Sequence, residues 1–272
     1  MSSPTNGISH DITIREVGAN NCREEFALIR DTVETYHHVA MAIKYPSVVA
    51  HCVGAFDSPF DHEYQTLRDN VNVVRPIQIG LTFFDTDGHL PFGGGGCGCI
   101  WQFNILEFDV DADIADHHAV ELLRGHGVDF AKHREQGIGA CDFGEFLMSS
   151  GAVLKDSDVE WITLDGGHDI GFLLRILTGR VLPETREEFF ELVNIFFPTL
   201  YDVKHLTICC DDLDGGLVQV AELLGVENVG VRHQAGWDSL LTARMFRMMK
   251  ERYLDGSIEQ YSGSLYGLNI NN

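Results

Sequence analysis

The sequence lacks the features that define several classes of protein. It has no apolar run near the about 20 residues that a membrane helix requires, so we expect no membrane contact. Its seven cysteines are odd in number and lack the spacing of a disulfide framework, which favours a reducing compartment. Basic residues are few, 19 against 41 acidic ones, and the net charge of −22 disfavours general nucleic-acid binding. Protein partners are therefore favoured over independent binding of RNA.

The rest of the composition is typical of a globular domain. With 272 residues, of which 44% are hydrophobic and 22% charged, the chain is long enough for one α/β domain with a sizeable core. The polar first residues lack the charged-then-apolar plan of a signal peptide, and we expect a flexible arm over residues 1–12. No internal repeat or linker follows, which predicts a single domain over residues 13–268.

Three short stretches suggest ligand sites but have simpler interpretations. Cys97-Gly-Cys99 needs further ligands to hold zinc, and His89 is the nearest candidate in sequence. The four glycines at 93–96 lack the Lys-Ser/Thr ending of a phosphate-binding loop and are interpreted as a mobile loop tip. The acidic stretch 109–116 is interpreted as a solvated loop and the start of a helix.

The pattern of apolar residues predicts three early strands, followed by helices and strands in alternation. The strands are expected at residues 38–43, 75–84 and 100–105, near Trp161, and at 200–204. The helices are expected after the capping pair Asn20-Asn21, at 115–126, 130–136, 143–149, 169–177 and 184–196, and as two final helices after Gly215 and from Ser239 to Tyr253. This order is typical of a mixed central sheet flanked by helices.

The most informative motif is His233-Gln-Ala-Gly-Trp-Asp238, which opens the amphipathic run that follows it. An imidazole titrates near neutrality, and a carboxylate in the first turn of a helix can hold a divalent ion. Asp169 is predicted to occupy a similar place, in the first turn of a helix after a buried strand and a glycine turn. The alternative for His233 and Asp238 is a surface histidine and a helix-capping aspartate.

Several further blocks accompany this motif in order along the chain. They are Glu16-Val, Tyr64-Gln-Thr-Leu-Arg68, Ile77-Gln-Ile-Gly-Leu-Thr-Phe83, Trp101-Gln-Phe-Asn104 and Phe196-Phe-Pro-Thr-Leu-Tyr-Asp-Val-Lys204. Together they resemble the Caf/Pop-type deadenylases, the nuclease subunit of the CCR–NOT messenger-decay complex. The resemblance implies a ribonuclease H-like α/β fold, with a mixed central sheet flanked by helices. It also implies His233 as a helper base and Asp169 and Asp238 as ligands of Mg²⁺ or Mn²⁺.

The first strand departs from the family pattern. Where the family has Asp-x-Glu-(Phe/Tyr)-Pro-Gly-Val-Val, with two metal-binding carboxylates, this chain has Ala42-Ile-Lys44-Tyr-Pro-Ser47-Val-Val. Losing Asp removes one negative charge and exchanging Glu for Lys changes the charge by two, so the site shifts by three units toward positive. Two closely spaced cations are tolerated only inside a cluster of negative charge. We therefore expect that the site does not hold two metal ions.

The new lysine suggests a replacement for the metal. We hypothesise that the Lys44 ammonium occupies the vacated position and pairs with Asp169 and Asp238, because strand alternation places residues 42 and 44 on one face. One alternative is that Lys44 points outward and contacts neither aspartate. Another is that Asp165, on the preceding strand, supplies a replacement ligand.

Three functional interpretations follow. In the first, the chain is a catalytically impaired subunit that binds the CCR–NOT scaffold, a second deadenylase or Tob/BTG-like adaptors, and binds poly(A) RNA weakly or not at all. In the second, it is an active metal-dependent 3′–5′ poly(A)-specific exoribonuclease. In the third, which has no positive motif, it has acquired different chemistry. We favour the first, and the resemblance implies a cytoplasmic and nuclear location.

Overall fold

One mixed sheet organises the chain. The computed structural model describes residues 12–93, 97–208, 210, 213, 217–226, 233–254 and 258–269. Within these residues a seven-stranded sheet has the order β1-β5-β3-β2-β6-β7, with β4 pairing to β5 as well. The strands are β1 (Ile12–Val17), β2 (His38–Lys44), β3 (Gln78–Phe84), β4 (Phe92–Gly93), β5 (Cys97–Asn104), β6 (Glu160–Thr163) and β7 (Thr199–Asp202). The β2–β3 and β3–β5 pairs are antiparallel, whereas β1–β5, β2–β6 and β6–β7 are parallel.

Helices cover both faces of this sheet. They are α1 (Cys22–Val33), α2 (Pro59–Val73), α3 (His117–Gly125), α4 (Phe130–Gln136), α5 (Ala140–Met148), α6 (Gly167–Thr178), α7 (Arg186–Phe196), α8 (Val203–Thr207), α9 (Leu217–Leu223) and α10 (Ala235–Arg252). No helix in the described ranges is both long and apolar enough to cross a membrane. The predicted mixed central sheet flanked by helices is confirmed.

Strand alternation divides the core into two layers. Val39, Met41 and Ile43 of β2 point into the larger cluster, which also contains buried side chains of α1, α2, α5, α6 and α7. Ala40 points to the opposite face and belongs to the cluster formed with α10. Positions 42 and 44 of β2 share that α10 face, as their spacing predicts.

The sheet fixes the start of α10 unusually closely. A Cβ on Gly80 of β3 would overlap the Ala235 carbonyl oxygen, so only glycine allows this approach. The side-chain oxygen of Gln102 accepts the Gly236 backbone N–H at 3.0 Å, and that of Gln78 accepts the Ala235 N–H at 3.5 Å. Buried side chains of the sheet thus satisfy the first free amides of α10.

Several predicted elements need correction. The strand predicted at 200–204 ends at Asp202, whose side chain accepts the Lys204 N–H at 3.0 Å and caps α8. The strand β1 and the helix α2 were not predicted, and Ile12 belongs to β1 instead of the flexible arm. Residues 1–11, the glycines at 94–96, Cys209 and the Gly215-Gly216 pair lie outside the described residues.

The acidic stretch 109–116 is more structured than predicted. Asp109 pairs with Arg134 at 2.9 Å, and Asp113 lies 3.6 Å from the Arg75 guanidinium. Asp116 caps α3 by accepting the His118 N–H at 2.7 Å. The predicted helix start is therefore confirmed at Asp116, and partly exposed ion pairs tie the loop before it to Arg75 and Arg134.

Candidate functional site

Four of the predicted site positions come from three elements that meet at one edge of the sheet. Ala42 and Lys44 lie at the end of β2, Asp169 in the first turn of α6, and Asp238 in the first turn of α10. Because β2 and β6 are parallel, both strands end at the same edge, and α6 begins directly after β6. We call Ala42, Lys44, Asp169 and Asp238 the β2-end site.

Lys44 points inward at this site. Its ammonium donates to the Asp238 carboxylate, and the two side chains are only 19% and 12% exposed. The alternative in which Lys44 points outward is wrong. The predicted second pairing is also wrong as a direct contact, because the ion pairs of the described residues include none between Lys44 and Asp169.

Lys44 affects the pKa of Asp169 without a direct ion pair. Burial raises the pKa of Asp169 to about 8, and the positive charge of Lys44 and the Ile43 backbone N–H oppose that rise. The negative charges of Asp165 and Asp202 add to it. Lys44 and the Ile43 N–H thus favour the ionised form of a buried carboxyl that desolvation disfavours.

Asp165 is already occupied by another cation. Its carboxylate accepts a hydrogen bond from the Lys204 ammonium at 2.6 Å. The same ammonium lies 4.2 Å from the centre of the Tyr266 ring, a cation–π contact. Asp165 is thus part of an ion pair at the exposed rim, and nothing in this geometry makes it a replacement ligand.

Asp202 is a supporting residue that sequence reasoning missed. Its Oδ2 accepts the backbone N–H groups of Gly166 and Tyr266 at 3.0 Å each, while its Oδ1 caps α8. Burial raises the pKa of Asp202 to about 7, and these hydrogen bonds oppose the rise. By holding Gly166, Asp202 fixes the turn that leads to Asp169. Its signal in the sequence is a capping aspartate directly after an apolar strand.

His233 has an imidazole neighbour that was also not anticipated. His233 adopts a left-handed backbone conformation with φ of 65°, and its ring centre lies 4.5 Å from that of His126 at the end of α3. Gln234 donates to the His126 carbonyl at 2.8 Å, which ties the start of α10 to α3. The structure thus places His233 beside α3, on the approach to α10.

An aromatic wall adjoins the β2-end site. Tyr45 stacks on His168, with ring centres 5.5 Å apart, and also contacts Phe172 at 5.0 Å. Burial lowers the pKa of His168, so its ring is neutral at physiological pH. Lys44 and Asp169 are each next in sequence to a member of this packed aromatic group, which fixes their backbone positions.

The donor set does not fit a pair of divalent cations. Ala42 offers no oxygen, Lys44 is a cation, and the Asp238 carboxylate is engaged by it. Hard cations such as Mg²⁺ need several oxygen ligands, and two of them need a strongly negative cluster. For zinc, Cys99 is buried in the core, and the one metal-compatible group of three or more in the described residues is Asp85, Asp87 and His89. Cys97, Cys99 and His89, the residues considered for zinc, do not form such a group.

The sheet order and the acid-bearing helix starts define an α/β protein of the ribonuclease H-like exonuclease class. Residues 17–144 match the family described as CAF1 family ribonuclease. The chain is 49% identical over 259 residues to "Probable CCR4-associated factor 1 homolog 10" of Arabidopsis thaliana, covering 95% of this chain and 93% of that protein. The chain therefore belongs to the CAF1 family of ribonucleases.

Two fungal relatives extend this comparison. The Poly(A) ribonuclease pop2 of Schizosaccharomyces pombe is 42% identical over 264 residues, which cover 96% of this chain and 77% of that protein. The structure of S. pombe Pop2p in its Mg²⁺- and Mn²⁺-bound form superimposes with a TM-score of 0.88 at 41% identity, over 94% of this chain and 99% of that chain. Yeast CAF1, co-crystallized with the NOT1 MIF4G domain, gives a TM-score of 0.76 at 30% identity, over 98% of this chain and 100% of that chain.

Proposed function

We propose that this chain is a catalytically impaired CAF1-family subunit that acts in poly(A)-tail shortening as a protein-binding module. The observation that carries the proposal is the Lys44–Asp238 ion pair, formed on the face of β2 where Ala42 offers no carboxylate. The family resemblance assigns the role of helper base to His233 and the role of metal ligands to Asp169 and Asp238. The chain thus keeps the frame of the site and half of its carboxylates.

The charge balance supports low nuclease activity. A two-metal nuclease uses one ion to activate the attacking water and the other to stabilise the leaving oxygen. The β2-end site has no carboxylate at position 42 and carries the Lys44 cation, which pairs with Asp238. Two divalent ions added to that arrangement meet repulsion instead of a cluster of negative charge. We derive no reaction step through metals at this site.

The binding role rests on the fold and on the relatives. Yeast CAF1 is seen with the NOT1 MIF4G domain, and that protein's fold covers 98% of this chain. We propose the scaffold subunit of the CCR–NOT complex as the main partner, with a second deadenylase and Tob/BTG-like adaptors as further partners. The six described cysteines are free thiols, which agrees with the proposed cytoplasmic and nuclear location.

The deciding experiment uses end-labelled oligoadenylate RNA with Mg²⁺ or Mn²⁺. We compare the unaltered chain, the Asp238→Ala variant and the double revertant Ala42→Asp/Lys44→Glu. The proposal expects no shortening by the unaltered chain and stepwise 3′ shortening by the revertant. Shortening by the unaltered chain that Asp238→Ala abolishes would instead make this an active exoribonuclease.

The binding half of the proposal has its own test. A purified MIF4G domain of a NOT1 scaffold is titrated with the unaltered chain and with the double revertant. We expect equal affinities, because the two substitutions are confined to the β2-end site. Absence of binding by both proteins would remove the proposed role in this complex, whatever the RNA assay shows.

A further inference from the structure

The Lys44–Asp238 pair is built into a rigid part of the molecule. Asp238 is a buried residue, and its backbone N–H donates to the Gln234 carbonyl at 3.0 Å while its carbonyl accepts from the Thr242 hydroxyl at 2.9 Å. At the next residue, the Ser239 hydroxyl lies 2.8 Å from that of Thr82 on β3. These contacts hold the Asp238 backbone over the sheet, and its side chain is only 12% exposed.

A carboxylate held in that position needs a cation. Removing one partner of a largely buried ion pair leaves an uncompensated charge, which is far more costly than the loss of an exposed pair. Lys44 reaches Asp238 from β2 across the sheet face, with a separation of 194 positions in sequence. The pair joins β2 to α10, which pack together in one hydrophobic cluster. Its charge balance therefore contributes to the stability of the fold.

We propose that the Lys44 ammonium is the resident cation of the β2-end site, so that the fold needs no divalent ion and the site takes none. This inference rests on the proposed function, since it explains how a nuclease frame remains folded after losing its metal ligands. S. pombe Pop2p, in contrast, is known in a Mg²⁺- and Mn²⁺-bound form. The two proteins thus neutralise the carboxylates of the shared fold with different cations.

The proposal makes positions 42 and 44 interdependent. With Glu in place of Lys44, the carboxylate at position 44 faces the Asp238 carboxylate with no cation between them. Adding Asp at position 42 places a further carboxylate on the same face of β2. Such a cluster repels itself in the absence of metal and is stabilised when a divalent ion binds, because a ligand that binds only the folded state raises its stability.

The test is thermal unfolding of the full chain in EDTA and in rising Mn²⁺. The unaltered chain is expected to have the same Tm in both conditions. Lys44→Met is expected to lower Tm by about 5–10 °C. Ala42→Asp/Lys44→Glu is expected to be destabilised in EDTA and to regain Tm as Mn²⁺ is added. The control is Lys132→Met, which removes an exposed pair with Glu16 (side chains 50% and 51% exposed) and is expected to leave Tm unchanged in both conditions.

Two results overturn the proposal. One is a Tm of the unaltered chain that rises with Mn²⁺ and saturates, with the rise lost in Asp238→Asn. The other is Lys44→Met with the Tm of the parent. If Lys44→Met does not fold, Mn²⁺ electron paramagnetic resonance on the unaltered chain decides alone. If the unaltered chain lowers the free Mn²⁺ signal by one equivalent and Asp238→Asn does not, the proposal of a resident Lys44 cation is refuted. Equal free Mn²⁺ signals for the two proteins support it.

Failure of this inference is distinct from failure of the proposed function. A chain that binds Mn²⁺ through Asp238 but does not shorten oligoadenylate overturns the resident cation alone. A chain that shortens oligoadenylate while Asp238 takes no Mn²⁺ overturns the proposed function alone. The unfolding and resonance measurements do not depend on activity, so each conclusion has its own readout.

Discussion

At the residue scale, Ser47 holds a backbone conformation that L-residues rarely adopt. Its φ is 81°, in the left-handed region, directly after the Tyr45-Pro46 pair that follows β2. Glycine populates this region without the steric cost of a Cβ, at the price of greater freedom in the unfolded chain. The family pattern has glycine at this position, and the structure gives the physical reason for it.

Replacing Ser47 with glycine is therefore expected to stabilise the fold. We expect Ser47→Gly to raise the free energy of unfolding by about 0.5–1 kcal/mol, measured by urea denaturation. The matched control is Ser149→Gly, at a serine whose φ of −89° is comfortable for any residue. That control is expected to lose stability, because glycine there adds unfolded-state freedom and removes the hydrogen bond from the Ser149 hydroxyl to the Phe146 carbonyl (2.9 Å). A Ser47→Gly variant less stable than the parent contradicts the argument.

A second residue-scale prediction concerns acid. Glu160 on β6 lies 3.2 Å from the His38 imidazole, and the hydrogen bond to His38 lowers the pKa of Glu160 below its ordinary 4.5, against the effect of burial. A carboxyl with a lowered pKa in the folded state contributes stability that is present above 4.5 and lost as pH falls through the folded-state value. Its carboxylate is partly exposed, so the contribution is modest.

The measurement is the free energy of unfolding between pH 6 and pH 3 for the parent and Glu160→Gln. We expect the parent to be the more stable at the upper end, with the difference shrinking as Glu160 becomes protonated below about pH 4.5. A difference that stays constant over this range shows that the His38 contact does not involve the ionised carboxylate. Asp142→Asn, at an exposed acid of α5, serves as the control.

At the element scale, the contact between α10 and β3 decides where Asp238 lies. An alanine Cβ at position 80 would meet the Ala235 carbonyl oxygen and the Gly236 nitrogen, and both are backbone atoms that cannot rotate away. We expect Gly80→Ala to cost about 3 kcal/mol or more of unfolding free energy, because α10 must shift as a unit. The loss is measurable by urea denaturation.

A glycine in another helix supplies the matched control. A Cβ added at Gly125 in α3 would have no other atom within 4 Å, and the backbone there is not in the left-handed region. Gly125→Ala is expected to be neutral or to stabilise by up to about 1 kcal/mol through helix propensity. Equal effects at the two glycines are incompatible with the close approach of α10 to β3.

Elements differ in how far their sequences determine them. Both β2 and α10 follow from apolar periodicity, and alternation alone placed residues 42 and 44 on the face that meets Asp238. The helix α2 carried a readable signal, since Ser58 caps it and Pro59 occupies its first turn. The strand β1 carried little, because it is an edge strand that pairs in parallel with β5, which lies far away in sequence.

The missed site residues share one physical property. Asp202 and His126 both make contacts with segments far away in sequence. The Asp202 carboxylate accepts backbone N–H groups of Gly166 and Tyr266, and the His126 backbone carbonyl accepts the Gln234 side-chain amide. Such contacts leave no periodicity and no fixed spacing. The sequence therefore predicts which side chains carry charge at the β2-end site, and only the fold shows which backbone turns hold them.

At the scale of the whole molecule, retained shape and altered charge have a combined consequence. The chain follows yeast CAF1 over almost its entire length, and that protein was crystallised with a NOT1 MIF4G domain. The β2-end site of this chain, however, holds the Lys44–Asp238 pair in place of an all-carboxylate cluster. If it binds the same scaffold without shortening RNA, it excludes an active relative from the scaffold and slows deadenylation.

That competition is measurable in a reconstituted assay with a MIF4G domain, an active CAF1-family relative and poly(A) RNA. At saturating, equimolar amounts and equal affinity, each protein occupies half of the scaffold, so the scaffold-dependent rate is expected to fall by about half. The double revertant Ala42→Asp/Lys44→Glu is expected to bind equally and to restore the rate, because it replaces one active subunit with another.

The relative assayed without the MIF4G domain is the control, and its rate is expected to be unaffected by this chain. A fall in that control rate means that the chain sequesters RNA instead, which contradicts competition for the scaffold. An unchanged rate on a scaffold that has demonstrably bound the chain contradicts the impaired-subunit proposal, because it requires the bound chain to shorten poly(A) itself.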